Sequence, residues 1–178
     1  MIHLISIVGS GAVSLYLEQK CISDFKALMR TLTSGRVMIV STKFRSDLFY
    51  VSEKPTNDAI LKLWAFYAKV NLLDLDKRDI ITTTGDEESL SKYFEAINLL
   101  SENWYQYKLY KKALHQTFTN DHQNPVAMTI VECDQHLVEH PSISRASLID
   151  SKEKISADLM SDTHSLAMRI ANNQTLSN

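Results

Sequence analysis

Residues 84–118 read TGDEESLSKYFEAINLLSENWYQYKLYKKALHQTF. Thr84 followed by Glu87 three positions later is the pattern of a helix capping box. Large apolar residues then recur at three- and four-residue steps as far as Phe118, which is typical of one face of a helix. We therefore expect one long, aromatic-rich helix here.

The second half of this predicted helix is apolar around much of its circumference. Trp104 belongs to the main stripe, whereas Tyr105, Leu109 and Tyr110 fall outside it. A stripe at helical spacing is by default part of the core, but tyrosine and tryptophan are also enriched at the centres of protein interfaces. We expect all four residues to bind a partner, with the Tyr105/Leu109/Tyr110 face exposed in the isolated monomer.

Runs of β-branched residues predict strands on either side of further helical patterns. The predicted strands are 2–8, 36–42, 48–51, 80–83 and 126–131. Helices are predicted at 14–32 and after Pro55, which suits a first helical turn. With the long helix, the order is β-α-β-β-α-β-α-β, which indicates an α/β or α+β single domain.

The composition changes at Pro141. We expect residues 1–140 to form the mixed α/β core domain, and residues 141–178 to form a serine-rich linker and an amphipathic C-terminal helix. Leu159 and Leu166 lie on the narrow apolar stripe of that helix. Because so few apolar residues bury little area, the helix could either pack on the core or bind a partner. We include Leu159 and Leu166 among the predicted partner-binding residues.

Composition bounds the classes of function. The 178 residues are 44% hydrophobic and 22% charged, as in ordinary globular proteins. A formal charge of -2 and a pI near 6.3 give no long-range attraction for nucleic acid, which we exclude as a partner. Two cysteines make no disulfide framework and favour a reduced, cytoplasmic protein.

The apolar start of the chain raises the question of a signal or membrane segment. Residues 1–17 carry no charged side chain apart from His3. Gly9-Ser10-Gly11 interrupts the run, and Glu18 ends it before spanning length. A buried strand that enters a helix explains these residues better, so we expect no membrane association.

Gly9, Ser10 and Gly11 form the strongest candidate for a ligand site. They follow the predicted strand 2–8, where bare N–H groups at a helix start could meet a phosphate. The stretch ISIVGSGAV (5–13) resembles the opening of a dinucleotide-binding Rossmann unit. It departs from that family because Ser14 takes the third glycine position and the second strand lacks the Asp or Glu that holds a ribose. The resemblance implies nucleotide binding as the alternative function. The other explanation of the glycines is a simple tight turn from strand to helix.

A second motif, His136-Leu137-Val138-Glu139-His140, fits the inverted zincin pattern H-x-x-E-H. Pro141 follows at once, and the chain is too short for the distant glutamate helix of such peptidases. A polar loop with surface histidines explains these residues as well. We therefore expect neither a metal nor another cofactor.

No arrangement of nucleophile and base accompanies the apolar helix surface. The sequence therefore favours a non-enzymatic cytoplasmic interaction protein: an adaptor, a chaperone-like protein or a regulatory subunit. Its partner would be another protein or a second copy of the chain.

Overall fold

A computed structural model describes the backbone of residues 1–33, 36–139 and 167, and the side chains of all of these except 133–139. Within these residues the fold is α+β, with one four-stranded antiparallel sheet in the order β2-β3-β1-β4. The strands are β1 (Ile2–Val8), β2 (Val37–Ser41), β3 (Arg45–Val51) and β4 (Ile80–Thr84). The helices are α1 (Gly9–Ser14), α2 (Gln19–Met29), α3 (Asn57–Ala68), α4 (Asp86–Ser101), α5 (Trp104–Asn120) and α6 (Pro125–Glu139).

Helices cover both faces of the sheet, so its strands are apolar on both sides. Alternate strand residues point to opposite faces: Ile2 and Leu4 of β1 join the cluster under α4, α5 and α6, whereas Ile5 and Ile7 join the cluster under α1, α2 and α3. This two-sided burial explains why β1 is an uninterrupted apolar run. The prediction that β1 is an interior, buried strand is confirmed.

The hairpin of β2 and β3 is also confirmed, but β1 and β2 are not neighbours. β3 lies between them and pairs antiparallel with each. A Rossmann unit requires adjacent parallel strands. The resemblance at residues 5–13 therefore does not extend to the fold.

The single long helix predicted for residues 84–118 is wrong. It is two helices, because α4 ends at Ser101 and α5 begins at Trp104. The Asn103 side chain accepts a hydrogen bond from the Gln106 N–H at 3.2 Å, which caps a new helix start. The predicted Thr84 cap is also absent, because Gly85 is the residue before α4 and has φ +93°.

The strand predicted at residues 126–131 is wrong too, because these residues lie in α6. Val126, Ala127, Ile130 and Val131 are buried, a spacing that fits a helix rather than a strand. The Asn124 side chain accepts a hydrogen bond from the Val126 N–H at 3.1 Å and starts the helix. The predicted order therefore ends in helices, not in a fifth strand.

The helix predicted at residues 14–32 starts later and ends earlier than predicted, because α1 ends at Ser14 and α2 runs from Gln19 to Met29. Between α1 and α2 the backbone bonds to side chains instead of continuing a helical ladder. Trp64 Nε1 donates to the Leu15 carbonyl at 2.9 Å, and the Leu17 N–H donates to Ser41 Oγ at 3.0 Å.

The segment 141–178 is described at Ala167 alone, which is helical and fully buried in the cluster under α4, α5 and α6. Leu159 and Leu166 lie outside the described residues, so their predicted role stays a prediction. The same holds for the division of the chain at residue 140.

Candidate functional site

Large apolar side chains are exposed where α5 begins. Trp104 is 68% exposed, Tyr105 64% and Leu109 38%. Leu99, near the end of α4, is 60% exposed. Tyr105 and Leu109 are thus exposed as predicted, and Trp104, which the spacing placed on the main stripe, is exposed with them.

Tyr110 is not on that surface. It is 1% exposed, and its hydroxyl donates to Asp47 Oδ2 at 2.5 Å. The exposure predicted for it is wrong because the break at Asn103 resets the helical phase. A stripe extrapolated from α4 through that break turns Tyr110 outward, whereas α5 turns it onto the sheet.

Tyr110 belongs to a buried polar network centred on Asp47. The Asp47 carboxylate also accepts from Ser6 Oγ at 2.5 Å and from Arg45 Nε and Nη2 at 2.7 and 2.8 Å. The Tyr110 and Tyr93 hydroxyl oxygens lie 3.3 Å apart, a further contact that joins α5 to α4. The network holds strands β1 and β3 and both helices in one arrangement.

The charges of this network are matched within the core. Burial disfavours the charged form of Arg45, but the Asp47 carboxylate outweighs it and raises the pKa of Arg45 above its ordinary value. Burial, with the same carboxylate, raises the pKa of Tyr110 well above its ordinary value, so the phenol stays protonated and donates. Arg45 and Asp47 precede the predicted strand 48–51, but β3 begins at Arg45. The alternation Arg45-Ser46-Asp47, which puts opposite charges on one face of a strand, was the overlooked signal.

The exposed residues of α5 lie opposite its buried face. Its buried side chains are Tyr110, Leu114 and Thr117. Its exposed residues at a helical spacing include Tyr105, Lys108, Leu109 and Lys112. We name Trp104, Tyr105, Lys108, Leu109 and Lys112 the α5 surface. Because it faces away from the sheet, the cores described above leave it uncovered.

The charge of α5 has one sign. The helix contains no acidic residue and three lysines. Lys108 Nζ lies 5.0 Å from the ring centroid of Trp104, and Lys111 Nζ lies 5.5 Å from that of Tyr107. Aromatic rings and ammonium groups therefore occupy the same helix, an arrangement that favours carboxylate-bearing partners.

The Gly9-Ser10-Gly11 turn holds a carboxylate of the chain itself. Ser10 Oγ donates to Asp79 Oδ2 at 2.7 Å, and the Gly11 N–H donates to the same oxygen at 2.8 Å. These bonds, the Ser10 hydroxyl first, lower the pKa of Asp79 below its ordinary value. A Cβ added at Gly11 would come within 3.0 Å of Asp79 Cβ.

Asp79 thus occupies the N–H group that the nucleotide hypothesis assigned to a phosphate, and α1 has only six residues. The glycines serve a close approach between β1, α1 and the segment before β4. Nucleotide binding at Gly9, Ser10 and Gly11 stays a prediction that this geometry does not favour.

The part of the chain whose side chains are described contains no group of three or more His, Cys, Asp or Glu residues that could hold a metal. The His136–His140 motif lies outside that part. Its backbone is helical through Glu139, whereas a loop was expected.

A polar cleft of about 210 Å³ opens between α2 and the end of α5. Lys26 on α2 forms an ion pair there with Asp121, and Arg30 Nη2 lies 3.9 Å from the same carboxylate. Burial acts against the charge of Asp121, but the bonds from Lys26 and Asn124 lower its pKa. The cleft therefore links helices from opposite faces of the sheet around the edge at β2.

None of the described helices is both long and apolar enough to cross a membrane. Comparison of the chain with protein-family models, with curated proteins and with solved structures found no match. The function proposed below therefore rests on the residues and their geometry.

Proposed function

We propose that this chain is a non-enzymatic interaction protein that binds an acidic protein partner through the α5 surface. It would act as an adaptor, a chaperone-like protein or a regulatory subunit. The carrying observation is the exposure of Trp104 and Tyr105, 68% and 64%, on a helix whose opposite face is packed. Exposed apolar groups rimmed by charge mark contact sites more often than isolated surface residues do.

The chemistry of the partner follows from the composition of the surface. Tryptophan and tyrosine supply large contact areas with few rotatable bonds, so they lose little conformational entropy on binding. Lys108 and Lys112 are exposed on the same side of the helix as Tyr105 and Leu109. A matching partner presents an apolar patch or helix flanked by carboxylates. The cysteine usage keeps the cytoplasm as the proposed compartment.

The test begins with a partner captured on the full chain and purified, because capture alone shows nothing about the surface used. We expect the Kd for that partner to rise at least about 30-fold in the double variant Trp104→Ser/Tyr105→Ser, since truncating two central aromatic residues removes hot-spot contacts. Phe66→Ser is the matched control. Phe66 is 80% exposed, but it lies on α3, on the other face of the sheet.

Charge is tested separately. Lys108→Glu/Lys112→Glu should weaken binding, and added salt should weaken binding of the wild-type chain more than that of this variant. Equal affinity of the wild-type and Trp104→Ser/Tyr105→Ser chains would contradict the proposal. Self-association through these residues would replace the foreign partner by a second copy.

A further inference from the structure

The two edge strands of the sheet differ in whether their outward backbone groups are hydrogen-bonded, and at β2 side chains cover the edge. Thr117 Oγ1 donates to the Ile39 carbonyl at 2.8 Å, and Asn124 Nδ2 donates to the Val37 carbonyl at 3.0 Å. Both carbonyls point away from β3, because the Val51 N–H bonds to Arg36 and so sets the alternation along β2. Side chains of the chain itself thus satisfy an edge that could otherwise pair with another strand.

The direction of the backbone groups of β4 follows from β1. Met1 and Ser52 exchange both of their hydrogen bonds, so the odd-numbered residues of β1 face β3 and the even-numbered ones face β4. The β1–β4 register pairs Leu4 with Thr83 and Ser6 with Ile81. The N–H and C=O groups of Ile80, Thr82 and Thr84 therefore point outward.

That outward edge is open among the described residues. The Ile80 N–H bonds to the Lys77 carbonyl, but the Thr82 and Thr84 backbone groups find no partner in the described part of the chain. The strand contains no lysine or proline, and Ile81 is 40% exposed. Lysine and proline in an edge strand normally prevent it from pairing with another strand, and β4 lacks both.

We propose that β4 pairs antiparallel with β4 of a second copy of this chain, about a two-fold axis at Thr82. In this register Thr82 lies opposite Thr82 and Ile80 opposite Thr84, so the outward groups of both strands meet. Thr82 exchanges two hydrogen bonds with its counterpart, and each Thr84 N–H donates to an Ile80 carbonyl. Threonine pairs facing each other across strands are favourable, and the two sheets become one of eight strands.

Charge selects the second copy as the occupant. Lys77 precedes β4 and Glu87 follows it, both are exposed, and neither has an ion-pair partner among the described residues. Lys77 lies in the short 3-10 turn before β4, and Glu87 lies in the first turn of α4. Antiparallel pairing sets the start of one β4 beside the end of the other, so Lys77 of each copy comes to the same end of the paired strands as Glu87 of the other. The two ends of the strand therefore complement each other under two-fold symmetry, which an isologous interface requires.

This dimer leaves the α5 surface free. α5 packs against β2, at the opposite edge of the sheet from β4. The inference is therefore independent of the proposed function. Because five-residue strands bury little area, we expect a weak, reversible dimer.

Sedimentation velocity of the full chain from about 5 to about 500 µM tests the inference. We expect a concentration-dependent dimer in the wild-type chain. Thr82→Pro removes an outward N–H but no hydrogen bond to β1, so the variant should fold and its dimer Kd should rise at least about tenfold. Circular dichroism and the thermal midpoint check that it folds.

Charge reversal gives a second readout that does not depend on the proline variant. Lys77→Glu should weaken the dimer at least about tenfold at low salt, and Lys77→Glu/Glu87→Lys should restore it. Lys62→Glu, at an exposed position of α3, is the charge-matched control and should leave the Kd unchanged.

Three outcomes would overturn the inference. One is a wild-type chain that stays monomeric to about 500 µM. Another is a dimer as tight in Thr82→Pro as in the wild type. The third is a dimer that is lost in Trp104→Ser/Tyr105→Ser, because that result would place the contact on α5.

Discussion

At the scale of single residues, Asp47 supplies the negative charge that neutralises Arg45 in the core. It is fully buried and is the acceptor for Ser6, Arg45 and Tyr110. A buried ion pair of this kind adds little net stability relative to apolar side chains of similar size. Removing one partner, however, leaves the other charge buried without a counter-charge. The alternation Arg45-Ser46-Asp47 indicates the ion pair, but Ser6 and Tyr110 are distant in the chain, so no local pattern predicts the whole network.

We expect Asp47→Asn to destabilise the protein by about 3–5 kcal/mol, because the Arg45 guanidinium is left buried without a counter-charge. Urea denaturation of the two chains measures this difference. Arg45→Met/Asp47→Leu should cost less than the single change, since it removes both charges. A loss under about 1 kcal/mol in Asp47→Asn would show that Arg45 finds another partner or solvent.

Asp79 gives a prediction that depends on pH. Ser10→Ala removes the larger of the two bonds that lower its pKa, so the pKa of Asp79 should rise towards its ordinary value. The lowered pKa adds stability that is present above the ordinary carboxyl range and is lost as the pH falls through the pKa of the folded state. The wild type should therefore lose its advantage over Ser10→Ala as the pH falls from above the ordinary carboxyl range through the lowered pKa of Asp79.

NMR titration of the Asp79 carboxyl carbon measures this shift directly, and thermal midpoints across the same pH range test the linkage. Ser14→Ala is the control, because Ser14 Oγ bonds to the Ser10 carbonyl and not to Asp79. Identical titration curves for wild type and Ser10→Ala would show that Ser10 does not set this pKa.

At the scale of elements, the sequence predicted strands better than helix boundaries. The apolar runs at β1, β2 and β3 were correctly assigned because apolar residues on both faces leave no helical stripe. Val126 to Val131 also satisfied that rule, yet it forms a helix, because Asn124 caps it and its buried residues keep a helical spacing. The break at Asn103 was hidden by an apolar pattern that continues across it.

The covered edge of β2 leads to a prediction for Thr117. Thr117→Val keeps the shape of the side chain but leaves the Ile39 carbonyl without its donor, which should cost about 1–3 kcal/mol. Thr119→Val is the matched control on the same helix. It loses an exposed bond to the His115 carbonyl, so its cost should stay within about 0.5 kcal/mol. Chemical denaturation compares the two variants, and equal stability would show that β2 does not depend on this bond.

At the scale of the whole molecule, function depends on which surfaces remain uncovered. Helical spacing predicted the exposure of Tyr105 and Leu109. It placed Trp104 on the main apolar stripe, and it turned Tyr110 outward, because the break at Asn103 could not be located from the apolar pattern. The open edge of β4 could not be predicted, because it requires the order of the strands. That order depends on contacts between residues far apart in the chain.

If both proposals hold, the dimer presents two α5 surfaces and binding becomes bivalent. The wild-type chain should then bind a densely immobilised partner at least about tenfold more tightly than Thr82→Pro, because the second contact forms at high effective concentration. In solution, with a monovalent partner, the two chains should bind each site equally. Surface plasmon resonance measures the apparent Kd of both chains at high and at low density of the immobilised partner. If the ratio of the Thr82→Pro Kd to the wild-type Kd is the same at both densities, bivalent binding is contradicted.

The position of β1 between two strands that follow it in the sequence has a consequence for biosynthesis. On the ribosome, Ile2–Val8 emerges long before residues 45–51 and 80–84, with which it pairs. During that interval both edges of this apolar segment are unpaired, so nascent chains on neighbouring ribosomes can associate through it. We expect the newborn polypeptide to need shielding by a holding factor until residues 80–84 have left the ribosome, and to aggregate when translation stalls before that point.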